Sequence, residues 1–316
     1  MGKQNFFTEY LATRLYAARI EMYKMLKHTF LHVPGIGPAT ERKLWAQGFS
    51  SWEDFLNNCQ RCSLPPTLRH RLVEYLEESL KALTVSHARH FETFMPPGEM
   101  WRLYREFGQR VAFLDIETTG LYPDSDAITV IGLFDGHTTR VFVRGINLSE
   151  FAQEIKKYSL IVTFNGKRFD LPFIRRTLGE LPHYQAHLDL LYPLRKLGYR
   201  GGLKSIEVQL GLEREGALKE ADGFLAVLLW GEYQRGNRAA LDTLVRYNLE
   251  DVVNLQYLAD VVYNEALVKL PINVEPLPLH AKYEVDTPFD PELIHYLRRR
   301  TIYSHNSVSP PDTHLL

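Results

Sequence analysis

The chain has 316 residues, 45% hydrophobic and 24% charged, with a net charge of −1. This is ordinary globular composition, enough for one large domain or two, and the charge balance argues neither for nor against a polyanionic partner. A nucleic-acid surface must therefore come from local clustering of charge. No stretch is long and uncharged enough to span a bilayer. Two cysteines, Cys59 and Cys62, and no signal-peptide pattern point to a soluble protein in the reducing cytoplasm.

In chain order, residues 9 to 29 repeat apolar residues at helical spacing, among them Leu11, Leu15, Ala18, Met22 and Leu26. In "HVPGIGPATERKLWAQGF", Gly35 and Gly37 bracket a tight turn, Pro38 suits a first helical turn and Gly48 suits the stop. Ser51 is an N-cap candidate for a helix through "SSWEDFL", with Asp54 in the capping-box position. Pro65-Pro66 precedes another helical run to Leu80. "FMPPGEM" at 94 to 100 carries two prolines and a glycine and marks a boundary. A small all-α domain over 1–98 is expected, then a second domain over 99–270.

From Val111 the pattern changes to short strands. "AITVIGLF" and "TTRVFVR" flank Asp135-Gly136, a hairpin signal, and a helix from about Leu148 to Tyr158 leads into the buried strand "LIVTF". Beyond Asn165 the chain reads as mostly helical, with a long helix from about Arg238 to Ala266. These elements predict a mixed α/β sheet covered by helices. A proline-rich extension over 271–316 holds one short helical candidate, Pro291 to Arg300.

Three segments carry chemistry. In "VAFLDIETTG" an apolar strand is interrupted by Asp115 and Glu117, which project from the same side of the sheet because strand side chains alternate. "FNGKRFDLPF" ends a buried strand at Asn165-Gly166 and sets Asp170 ahead of Pro172 and a helix. In "RYNLEDVVNLQYLAD", Tyr247 and Asp251 are four apart and stack on one inward helical face with Leu244, Asn248, Leu255 and Leu258. Each acid alone has an ordinary explanation: an ion pair on a strand, a helix cap, or a salt bridge from Asp251 to Arg246 or another base. Four in one domain do not, because two unit charges about 4 Å apart repel by roughly 4 kcal/mol at an effective dielectric near 20. Hard oxygen ligands suit Mg²⁺ or Mn²⁺, and two such ions balance four carboxylates. Ions about 3.5–4 Å apart clamp the attacking and leaving oxygens of an in-line phosphoryl displacement.

"FLDIETTGL", "FNGKRFDLPF" and "YNLEDV" resemble, in order and spacing, the three motifs of the DEDD superfamily of 3′–5′ exonucleases. The resemblance covers about residues 110 to 262 and implies an RNase H-like fold. It also implies that Asp115, Glu117, Asp170 and Asp251 are the metal ligands. Tyr247 stands four before the last aspartate and Arg246 five before it, which resembles the tyrosine subgroup. Tyr247 would then orient the attacking water, since its ordinary pKa of about 10 makes it a poor base. Thr118 and Asn165 are implied to lie near the 3′-terminal nucleotide.

"VPGIGPATERKLWAQGF" resembles a helix-hairpin-helix element. A glycine-rich turn opening a helix aims N–H groups outward, suiting a phosphate approached over Gly35 and Gly37 with Arg42 and Lys43 nearby; the same segment would also serve as a packing module. Cys59 and Cys62 form a C-x-x-C without a second cysteine pair, so inert thiols are expected rather than zinc. Arg195, Lys196, Arg200 and Lys204 either follow a phosphate backbone or form a solvated face, and Asp189 reads as a helix cap or a supporting residue. The function expected is a metal-dependent 3′–5′ exonuclease on single-stranded DNA or RNA. The alternatives are a structure-selective endonuclease on the same fold and a non-catalytic nucleic-acid-binding protein.

Overall fold

Five strands form one sheet: β1 (Val111–Thr118), β2 (Ile128–Phe134), β3 (Thr139–Val143), β4 (Leu160–Thr163) and β5 (Ala186–Asp189), in the order β3-β2-β1-β4-β5. This computed structural model describes residues 25–306 except 213, 215 and 221, with the backbone alone at 220 and 301–306. Of the helical pattern read over residues 9 to 29, the part before Met25 lies outside the described residues, and Met25–His28 is a single 3₁₀ turn. β1 pairs antiparallel with β2 and parallel with β4; β2 and β3 are antiparallel, β4 and β5 parallel. The β2–β3 hairpin closes at Asp135-Gly136. There the Asp135 carboxylate accepts the backbone N–H groups of His137 and Thr138, and Gly136 adopts a φ of +92°. β5 is not foreseen from the sequence, because "AHLD" is only four residues and too short to show a strand period.

Helices cover both faces, giving the mixed α/β fold expected. They are α4 (Asp170–Leu178), α5 (Leu191–Leu197), α6 (Leu203–Gln209), α7 (Gly223–Gln234), α8 (Arg238–Leu267) and α9 (Pro291–Asn306), after α1 (Pro38–Ala46), α2 (Trp52–Asn58) and α3 (Pro66–Thr84) in the N-terminal region. Alternation along β1 divides the core. Val111 and Phe113 join the cluster that holds Leu249, Val252 and Leu255 of α8, whereas Ala112, Leu114 and Ile116 pack with Phe151, Ile155, Phe173 and Ile174 on the other side. Asp115 and Glu117 therefore point to the α8 side, into the interior. The helix expected over 148–158 is a chain of short turns, Leu148–Glu150, Phe151–Glu154 and Ile155–Lys157.

The N-terminal helices start as their sequence suggests: Pro38 is the first residue of α1 after Gly35 at φ +87°, and the Ser51 hydroxyl accepts the Asp54 N–H at 3.1 Å. The proline-glycine segment expected to be a boundary is not an open linker. It forms a 3₁₀ stretch, Pro97–Leu103, whose Met100, Trp101 and Leu103 are buried in an apolar cluster that also contains Trp52, Phe55 and Leu258. A buried ion network crosses the same seam. Arg102 donates to Glu41 at 2.9 Å, to Glu99 at 2.7 Å and to Thr29, and Glu99 also pairs with Lys196. A buried charge is stable only with such partners.

The C-terminal extension has a defined course. Residues 271–290 carry no regular structure and run back along α8. Asn264 bonds both backbone groups of Leu277, Asp260 takes the His280 N–H and faces its Nδ1 at 2.7 Å, and Arg246 donates to the Thr287 carbonyl. Thr243 then accepts the Asp290 N–H. Among the described residues, no helix is long and apolar enough to cross a membrane.

Candidate metal centre

Asp115 and Glu117 come from β1 and Asp251 from α8. One carboxylate oxygen of each lies within 4.8 Å of the other two. Asp170 opens α4; it is buried, and its Oδ1 has no hydrogen-bond partner. Burial, and then the charges of Asp170, Asp251 and Glu117, push the Asp115 carboxyl well above the usual range. Burial and Asp251 do the same to Glu117. Asp170 is raised to about 7, first by burial and then by the charge of Asp189. Protein groups alone therefore do not neutralise the cluster. Its donors are hard oxygens, which suit Mg²⁺ or Mn²⁺; Asp170 is not among the three acids that converge, though its charge acts on Asp115 and its Oδ1 lacks a partner.

Tyr247 lies against the same acids. Burial, then Asp251 and Glu117, hold its phenol well above the ordinary tyrosine value, so it keeps its proton at neutral pH.

The close approach of α8 to β1 depends on Gly132. This residue is the β2 partner of Asp115, and a Cβ there would stand 2.1 Å from Asn248 Oδ1 and 2.8 Å from Val252. With no side chain in the way, Asn248 donates to Asp115 Oδ2 at 3.0 Å. A glycine inside an apolar strand, as in "TVIGLF", is a sequence signal that could have shown such an approach. On the other side Asp189, at the end of β5, accepts the N–H groups of Asn165 (2.7 Å), Lys167 (3.1 Å) and Leu191 (3.1 Å). It thus caps the entry to α5 and fixes the loop in which Asn165 adopts a φ of +63° just ahead of Asp170. Thr118 sits at the β1 register shift beside Glu117, and its hydroxyl donates to the Gly120 carbonyl.

Asp251 does pair with a base, but not with Arg246. Arg246 bonds Glu250 at 2.9 Å, one residue round the helix. The partner of Asp251 is Arg214, which also makes two bonds to Glu207 of α6. Lys204, one turn before Glu207, holds its Nζ 4.5 Å from the centre of the Tyr247 ring. Sequence reasoning misses Arg214 and Glu207 because nothing local separates "GLER" from a solvated turn. In the basic run that includes Lys204, Arg195, Lys196 and Arg200 are exposed, Lys196 pairs with Glu99, Arg200 donates to the carbonyls of Arg195 and Tyr199, and the charge of Lys204 acts on Glu117.

The remaining candidates lie apart from this cluster. Gly35 and Gly37 form the turn before α1, and Arg42 and Lys43 lie on its exposed face. The described chain before that turn is a single 3₁₀ turn, Met25–His28. Cys59 ends α2 and Cys62 is buried, both as free thiols. His90 bonds Ser79 at 2.9 Å and stacks on Tyr75.

Residues 112–263 match a family model described as the RNase_H superfamily. The fold is RNase H-like. Among solved structures the chain is similar to the family B DNA polymerase from the hyperthermophilic archaeon Pyrobaculum calidifontis, with 19% identity and a TM-score of 0.36, covering 50% of this chain and 24% of that one. It is similar to a structure described as the apo form of the nuclease, at 19% identity and a TM-score of 0.38, over 65% of this chain and 89% of that one. Brucella melitensis NrnC with bound Mg²⁺ gives 18% identity and a TM-score of 0.34, over 65% and 90%. The chain thus spans about a quarter of the polymerase it matches. No curated protein matches it.

Proposed function

We propose that this protein is a metal-dependent 3′–5′ exonuclease that hydrolyses phosphodiester bonds at single-stranded ends of DNA or RNA. The observation that carries the reading is the meeting of Asp115, Glu117 and Asp251 oxygens within 4.8 Å in the interior of the fold, with Asp170 buried and only partly satisfied beside them. These four acids would hold two Mg²⁺ or Mn²⁺ ions. Bound there, such ions supply a water of lowered pKa and neutralise charge on the phosphoryl group.

The chain's own residues do the rest. Tyr247 stays protonated, so it directs the attacking water by donating a hydrogen bond and does not deprotonate it. Asn248 and Asp189 hold Asp115 and the Asn165–Asp170 loop in position. Thr118, next to Glu117, and Asn165, in the loop ahead of Asp170, would contact the terminal nucleotide. Gly35, Gly37, Arg42 and Lys43 would hold the strand further along its backbone, in the manner of a helix-hairpin-helix element.

The test is incubation of end-labelled single-stranded DNA and RNA with Mg²⁺ or Mn²⁺. A product ladder shortening from the 3′ end is expected, together with its loss in Asp251→Asn. Internal cuts would replace the reading with an endonuclease. Binding without cleavage would replace it with a nucleic-acid binder.

A further inference from the structure

Beside the carboxylate cluster, on the α6 side, lies a cavity of about 160 Å³ lined by Lys204, Glu207, Val208, Leu212, Arg214 and Lys219. Three of the six side chains are cationic and one is acidic. Glu207 is already engaged, accepting from Arg214 and, at 2.9 Å, from Asn254. Arg214 is 5% exposed, and its Nε and Nη2 are used on Glu207 and Asp251. Its Nη1 is buried with no hydrogen-bond partner, and so is Nζ of Lys204. Buried charged donors are rarely left unmade, so two of them lining one cavity require an acceptor.

Charge indicates which acceptor. Asp115, Glu117, Asp170, Asp251 and Glu207 bring five negative charges when ionised, and Lys204, Arg214 and Lys219 bring three positive ones. Two divalent cations would leave the assembly positive overall, at +2, so it attracts an anion such as a phosphodiester. We propose that this cavity binds a backbone phosphate of the nucleic-acid strand next to the metal centre, with Arg214 Nη1 and Lys204 Nζ as its donors. The assignment to a strand rests on the nuclease reading; the donors and the cavity do not. The Glu207 bonds fix the Arg214 guanidinium and leave Nη1 as its unpartnered nitrogen, and a charged donor of this kind suits a phosphate oxygen.

The test is binding, not cleavage, so a failure of nuclease activity is seen separately. A fluorescent single-stranded hexanucleotide is titrated at low ionic strength with Ca²⁺ in place of Mg²⁺ or Mn²⁺, so that the acids are neutralised while binding is read by itself. Its phosphates are replaced one at a time by neutral methylphosphonates. In the unaltered protein one linkage near the 3′ end should cost about tenfold in affinity, as expected for a charged hydrogen bond. In Arg214→Gln and in Lys204→Gln that one penalty should shrink to about twofold or less, with the other linkages unchanged. Arg214→Lys should restore part of it. Wild-type penalties at every linkage in both Gln variants would overturn the proposal. Competition by inorganic phosphate with no linkage sensitive would assign the cavity to a free phosphate and overturn the strand assignment. If Arg214→Gln does not fold, Lys204→Gln, which breaks no hydrogen bond in the structure, decides alone.

Discussion

Without divalent cations, this protein should lose stability as pH rises from about 4 to 7, and Asp170→Asn should remove a large part of that loss. Asp170 is buried, and its pKa is raised from 3.8 to about 7. In the unfolded chain the group ionises near 4, whereas the native state keeps the proton until about pH 7. Within that window the native state binds more protons than the unfolded one, so unfolding free energy falls by about 1.36 kcal/mol per pH unit for this group. Over roughly three units the loss is on the order of 4 kcal/mol, a sizeable share of the 5–15 kcal/mol typical of a domain. Below pH 4 both states are protonated and the penalty vanishes; above pH 7 it is constant. Asp115 and Glu117 are raised in the same direction and steepen the slope. Urea unfolding followed by tryptophan fluorescence at pH 5, 6 and 7 in EDTA measures it. Between pH 5 and 7 the wild type should lose about 2–3 kcal/mol more than Asp170→Asn. Adding Mn²⁺ should restore the wild type most at pH 7, where protons compete least for the carboxylates. Parallel pH curves for the two proteins in EDTA would refute this reasoning, since Asp170 would then carry no raised pKa and the acids would need no shared cation.

Four other outcomes are expected. Gly132→Ala puts a Cβ 2.1 Å from Asn248 Oδ1, so it should displace the bond to Asp115 and cut both activity and Mn²⁺ affinity, read by turnover and calorimetry; wild-type values in both would show that α8 can shift freely. Tyr247→Phe should slow cleavage by about a hundredfold without abolishing it, the usual cost of one oriented donor; an undiminished rate would remove the hydroxyl from the reaction. Asp189→Ala orphans three backbone N–H groups and should cost on the order of 3 kcal/mol in urea unfolding, whereas a change within about 0.5 kcal/mol would mean the loop is held elsewhere. Replacing Arg42 and Lys43 together by alanine should flatten the salt dependence of oligonucleotide binding, by about 0.7 in log–log slope for each phosphate no longer neutralised; an unaltered slope would leave that turn a packing element.

The elements that carry the acids were legible because the relevant periods are local. An eight-residue strand with acids two apart fixes which face they share, and a thirty-residue helix declares its inward stripe. Hence Asp115 and Glu117 on one side of β1, and Tyr247 and Asp251 on the buried face of α8, follow from the chain alone, as does the Asp135-Gly136 hairpin. Tertiary structure decided what those faces meet. That Gly132 opens the way for Asn248, that Asp189 on the short strand β5 ties down the Asn165 loop, and that Arg214 rather than Arg246 reaches Asp251 depend on groups far apart in sequence. The N-terminal helices share a core with the sheet across a segment whose prolines suggested separation, because prolines set the local backbone and say nothing about which apolar side chains lie beneath it. Spacing along a chain encodes the direction of a side chain, but its partners are set by packing at distances no local pattern contains.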